Sequence, residues 1–149
     1  MFRIAPTMAC LGLLVACSAE QAPPAPPLAL TVKELMERVI DPTADLFWES
    51  SGTIITAAGE TSRAPTTDAG WQAAVNAAAT LVEAGNLLML PGRARDDKEW
   101  MQFARQLQGS AAAGMKAAQT KDEKAVFDTG GEIFLACRGC HMKYLLGYK

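Results

Sequence analysis

From Thr31 onward, apolar residues recur with the 3.6-residue period of an amphipathic helix, and only a few punctuation points break the rhythm. "TVKELMERVI" opens with the Thr31/Glu34 pair of a capping box and carries Val32, Leu35, Met36, Val39 and Ile40 on one stripe. Asp41-Pro42 interrupts it. Pro42 has no amide proton and its ring clashes with the carbonyl four residues back, so the helix must kink or restart. "TADLFWESSGTIITAAG" keeps the same character, which predicts one long first helix with a break, reaching Gly59. "GETSRAPTTD" reads as a loop. "AGWQAAVNAAATLVEAGNLLML" predicts a second helix with Trp71, Val75, Ala78, Val82 and Met89 on one side, stopped by Pro91-Gly92. Asp96 and Glu99 cap a third, with Trp100, Phe103, Leu107, Ala111 and Met115 inward. Thr120 and Glu123 cap a fourth, in which Val126, Ile133, Cys137, Cys140, His141 and Tyr144 share a broad face. Nothing reads as strand alternation or as an internal repeat. The expected fold class is all-α, an antiparallel four-helix bundle with short loops, an architecture that builds cofactor sites from facing helices.

The chemistry concentrates near the carboxyl terminus. "CRGCHMKY", residues 137–144, holds Cys137, Cys140 and the only histidine, His141. C-x-x-C-H is the spacing of covalent c-type haem attachment. Cys137 and Cys140 would add to the two vinyl groups as thioethers, and His141 would be the proximal iron ligand. A zinc site wants four N/S ligands, and the rest of the chain offers only Cys10 and Cys17. A thioredoxin-like dithiol wants a βαβ setting, and a disulfide across so short a loop gains little stability. One covalently bound haem c is therefore the expected cofactor.

Haem attachment of this kind takes place outside the cytoplasm, and the amino terminus agrees. Met1-Phe2-Arg3 followed by "MACLGLLVA" has the form of a signal peptide too short to span a bilayer. "LVACS" resembles a bacterial lipobox, which makes residues 1–16 a lipoprotein signal and Cys17 the acylated first residue; cleavage near Ala19 is the alternative. Residues 17–30 form a Pro-rich tether, with prolines at 23, 24, 26 and 27 favouring an extended conformation. Residues 31–149 are long enough for one domain with one core. Of 14 Lys+Arg only Arg3 precedes residue 17, so the mature chain sets 13 against 16 Asp+Glu, a net charge of −3. Nucleic acid is an unsuitable partner for such a surface. A periplasmic, membrane-anchored lipoprotein is expected.

A C-x-x-C-H on the last helix of a four-helix bundle, with the aromatic Tyr144 three residues after His141, resembles the class II c-type cytochromes, the cytochrome c-prime group. The resemblance spans the folded region, though only the haem motif is specific. Six-coordinate members take a methionine from the first helix, and gas-binding members carry an apolar residue there; Met36 falls in that place. It also stands level with His141 by the helical rise, with Met89 and Met101 as fallback candidates. Ordinary core filling is the competing role for a methionine on an apolar stripe. With Met36 and His141 both on the iron, the resemblance implies a low-spin electron carrier, not an enzyme. Its redox partners would present a basic docking surface. A five-coordinate NO/CO binder and a haem subunit of a membrane redox complex are the alternatives. The family's habit of pairing as homodimers leaves the oligomeric state open. Gly130-Gly131 inside the fourth helix costs about 2 kcal/mol against alanines, so a close approach by haem or by a neighbouring helix is expected there. Arg138 and Lys143 are solvated charges or propionate partners.

Overall fold

The computed structural model describes residues 27–147. The signal segment 1–16, Cys17 and the tether up to residue 26 lie outside the described residues. The chain is predominantly helical, with one small two-stranded sheet. Helix α1 begins as α-helix at Val32–Leu35, widens into a π-helical turn at Met36–Ile40 and continues as α-helix through Asp41–Trp48. A hairpin follows, β1 Thr53–Thr56 and β2 Gly59–Ser62, and then α2 Asp68–Met89, α3 Glu99–Gln119 and α4 Glu123–Tyr144. Among the described residues no helix is long and apolar enough to cross a membrane.

The capping box forms as read: the Thr31 hydroxyl accepts from the Glu34 amide at 3.2 Å, and the Glu34 carboxylate accepts from the Thr31 amide at 3.0 Å. The break at Asp41-Pro42 takes a particular form. The Asp41 amide reaches the Met36 carbonyl, five residues back, so the helix absorbs one extra residue instead of stopping. The buried residues of α1 are Leu35, Ile40, Ala44 and Phe47. The interval from Leu35 to Ile40 is too long for a uniform α-helix, and the π turn keeps both flanks facing the core.

The first helix ends at Trp48, not at Gly59. Ser50 donates its hydroxyl to the Phe47 carbonyl at 2.6 Å, and Gly52 adopts φ +94°, a conformation that disfavours a side chain. Thr53, Ile54, Ile55 and Thr56 are four β-branched residues in a row, which favours extended backbone over helix. They pair antiparallel in the register Thr53↔Ser62 and Thr56↔Gly59. All eight strand residues are exposed, and an isolated two-stranded hairpin is marginal. The Ser62 hydroxyl fastens this one to the Glu123 carboxylate at the start of α4.

The core fills the space between the helices. Phe47, Leu35, Leu81, Ile133 and Val126 are the largest fully enclosed side chains. On α2 the buried line is Trp71, Ala74, Ala78, Leu81 and Leu88; Val75, Val82 and Met89, expected on this face, are only half-buried. Small residues let α2 and α3 approach closely: a Cβ on Gly85 would stand 2.9 Å from the Ala104 carbonyl oxygen. On α4, the expected close approach occurs at Gly130. Trp48 Nε1 donates to the Gly130 carbonyl at 2.9 Å, and a Cβ there would meet Trp48 Cδ1 at 3.2 Å. Gly131 faces open space. The cap of α4 is Asp122, accepting from the Ala125 amide at 3.0 Å, while Thr120 closes the end of α3. Lys121, at φ 56°, makes the turn between them.

Candidate functional site

Cys137, Cys140 and His141 lie in the last two turns of α4, at spacings that put them on one face of the helix. That face looks onto a narrow cavity of about 30 Å³ walled by all four helices. Met36, Ile40 and Asp41 come from α1, Leu88 from α2, Trp100, Phe103, Ala104 and Leu107 from α3, and Ala136 with the three motif residues from α4. Met36 and the motif, remote in sequence, thus share one apolar chamber. Met89, Met101 and Met115 pack half-buried against the core and do not line it. Met142 lines an outer groove of about 310 Å³ on the other side of the Ile40, Asp41, Cys137 and His141 wall, beside Trp48, Phe134 and Arg138.

The chamber wall is held from behind. Trp100 Nε1 donates to the Leu88 carbonyl at 2.7 Å, linking the end of α2 to the start of α3. Trp100 and Phe103 both meet Tyr144 edge to face, at 5.0 and 6.5 Å between ring centres. Gly139 lets the Phe103 ring lie against α4: a Cβ there would stand 2.6 Å from Phe103 Cε1. In place of the expected Asp96/Glu99 cap, α3 has Lys98 at its N-cap with no side-chain bond, and Asp96, two residues earlier, accepts through one oxygen from the Lys98 and Trp100 amides at 2.9 and 3.1 Å. Its other oxygen accepts from the Tyr144 hydroxyl, a tie between α3 and the end of α4 that spacing alone did not indicate. Lys143 pairs with Glu99 across the same seam. Asp41, noted in the sequence only as part of a helix break, is a cavity residue.

Burial pushes the Cys140 thiol up to about 11, with Cys137 and Asp96 adding to it. Burial also raises Cys137, helped by the nearby Asp41 carboxylate. Redox-active dithiols have the opposite character, a thiol lowered toward neutrality. Both cysteines are free, and among the described residues no group of three or more His, Cys, Asp or Glu side chains converges as an ion site. The donors are therefore spread along a wall instead of gathered around a point.

Two thiols and an imidazole on one helix face, with a thioether on the same chamber, are the donor set that a covalently held haem requires. The closed chamber holds about one water, far below the roughly 300 Å³ of a ligand pocket. Ile40, Asp41, Cys137 and His141 line both the chamber and the outer groove and form the partition between them. Comparison with protein-family models, curated proteins and solved structures finds no match. The site's own chemistry carries the functional argument.

The Asp96–Tyr144 tie has a pH signature. Desolvation, with the Asp96 carboxylate beside it, lifts the Tyr144 hydroxyl from 10.0 to about 12. Its folded value lies above its unfolded value, so its contribution is fully present below about pH 10 and fades as pH rises toward 12. Asp96 is lowered from 3.8, chiefly by the Tyr144 hydrogen bond, so its contribution holds above that pH and fades in stronger acid. Tyr144→Phe is expected to melt below the wild type between pH 5 and 9, with the gap closing towards pH 12; thermal unfolding across that range checks it.

Proposed function

We propose that this chain is a c-type cytochrome of the class II kind. In this reading the helices form an antiparallel four-helix bundle carrying one haem c, exported to the periplasm and held at a membrane by lipid on Cys17. It passes single electrons to partner proteins. The observation that carries the reading is the shared chamber: Met36 on α1 and Cys137, Cys140 and His141 on α4 line one apolar cavity. Further support comes from the helix order, because the start of α1 lies level with the end of α4, as an up-and-down path requires.

When bound, the group supplies a one-electron ferric/ferrous couple. Cys137 and Cys140 would hold its edge covalently, and His141 would be the protein's imidazole ligand. Met36 would offer a soft thioether, which favours the ferrous state and raises the potential. Ile40, Leu88, Leu107 and Ala136 keep the chamber apolar and exclude water. Trp100, hydrogen-bonded and enclosed, stiffens the wall so that the ligands keep their places in both oxidation states.

The test is the optical spectrum of Met36→Ala beside the wild type, made in a host able to attach haem. The wild type is expected to be low-spin in both oxidation states. The variant is expected to turn high-spin when ferric, with a potential lower by on the order of 0.1–0.3 V, a modest part of the ~0.8 V span that axial ligands command. A high-spin wild type that binds CO at once when reduced would defeat Met36 ligation and favour the gas-binding alternative.

A further inference from the structure

Ser50 and Ser51 follow α1 in the turn toward the hairpin, and both are buried, at 7% and 6% exposure. Ser50 gives its hydroxyl to the Phe47 carbonyl. Among the described residues the Ser51 hydroxyl has no such partner, although a buried hydroxyl ordinarily takes one. No fully enclosed side-chain oxygen or nitrogen among those residues is left unbonded. The Ser51 hydroxyl therefore opens on the space that Ser51 lines, a cleft of about 460 Å³ between the hairpin base and α4. That volume is in the range of small-molecule sites, roughly 300–1,000 Å³.

The cleft is built of aromatic rings over a glycine floor. Phe127 and Phe134 are 60% and 53% exposed. They stand seven residues apart on α4, roughly 10 Å along the axis at 1.5 Å per residue. Gly130 and Gly131 lie between them. Packing against Trp48 accounts for Gly130, but a Cβ on Gly131 would meet nothing within 4 Å. Glycine weakens a helix interior, and no packing contact calls for it at Gly131; what its bare backbone gives is an open floor. Trp48 forms a fixed wall, its Nε1 bonded to the Gly130 carbonyl at 2.9 Å and its ring 6.4 Å from that of Phe134. Arg63 closes the hairpin side, held there by its amide, which donates to the Gly52 carbonyl at 2.9 Å. Among the described residues it is the one charged side chain lining the cleft.

We infer that this cleft binds a small aromatic carboxylate, its flat fused rings lying on Gly130 and Gly131 between Phe127 and Phe134. The edges and faces of the three aromatic side chains favour a further ring. The Arg63 guanidinium suits the paired oxygens of a carboxylate, and the Ser51 hydroxyl supplies a further donor. The cleft shares no lining residue with the motif chamber, so the inference stands whether or not haem is attached.

The experiment titrates 2-naphthoate into the full chain, followed by calorimetry and by ¹⁵N amide shifts, with 2-naphthalenemethanol as the uncharged counterpart. Saturable binding is expected, with shifts confined to residues 51–53, 63 and 127–134. Gly131→Leu puts a side chain on the floor at a position where a Cβ meets nothing. It should melt no lower than the wild type and bind naphthoate at least about ten-fold more weakly. Arg63→Gln should weaken naphthoate about five-fold and leave the alcohol unchanged. Ser51→Ala should weaken naphthoate about three-fold. Linear shifts without saturation, shifts centred on residues 137–141, or equal naphthoate binding by Gly131→Leu and the wild type overturn the site. So does a change in the same amides on diluting the ligand-free protein, which would show a second copy in the cleft.

Discussion

Phe47→Ala is expected to lower the unfolding free energy by about 3–5 kcal/mol, a large share of the roughly 5–15 kcal/mol of an ordinary domain. Phe47 is fully buried at the point where α1 meets α3 and α4. The notch that receives it is made by absent side chains: a Cβ on Gly114 would stand 2.6 Å from Phe47 Cζ, and one on Gly130 3.9 Å from its Cε1. Glycines on rigid helices cannot reach in to fill the space, so the cavity persists and the cost lies near the upper end for such a change. Gly114→Ala is destabilising for the converse reason, by about 1–3 kcal/mol of overpacking. Combined, the two should be less harmful than their sum, because the added methyl enters the space the ring vacates. Urea unfolding of the four proteins measures this. Strict additivity would show that the ring and the glycine are not in contact in solution.

The second large effect concerns the motif. Cys137→Ala with Cys140→Ala, produced in a host able to attach haem, is expected to abolish retention of the cofactor under denaturing conditions. Each single variant should retain part of it through the remaining thioether. Covalent links keep the group beside His141 at a high effective concentration; without them only His141, Met36 and apolar contact would hold it. A group that binds the folded state also stabilises it, so the double variant should melt below the wild type even though neither thiol makes a hydrogen bond across the helix seams. Mass spectrometry gives the direct readout. A wild-type mass equal to the polypeptide and any acyl chains would remove the cytochrome proposal altogether, while the predictions for Phe47 and Tyr144 would stand.

Much of the helical framework was legible because its signals are local. The Thr31/Glu34 box and the Pro91-Gly92 stop are satisfied within a few residues of themselves, so spacing announces them. The errors arose where two local signals competed. The apolar period continued past Trp48, yet the β-branched run Thr53–Thr56 between Gly52 and Gly59 prevailed and made a hairpin. On α4 the Thr120/Glu123 pair matched a capping pattern, but Asp122 took the cap once Lys121 had turned the chain. On α2 the alanines proved more buried than the valines, since Ala74, Ala77, Ala78 and Ala84 share the core face with Trp71, Leu81 and Leu88 while Val75 and Val82 sit at its margin.

The candidate site divides along the same boundary. Which atoms could bind a cofactor was set by residue type and spacing alone, because C-x-x-C-H is a chemical statement contained in five consecutive residues. Which methionine faces those atoms was a matter of packing. Met36 lines the chamber from the first position of the π turn that absorbs an extra residue beside Pro42. The Asp96–Tyr144 tie and the cleft at Ser51 likewise needed the assembled fold. Contacts between distant segments depend on the summed burial of many side chains, and no short stretch of sequence holds that sum.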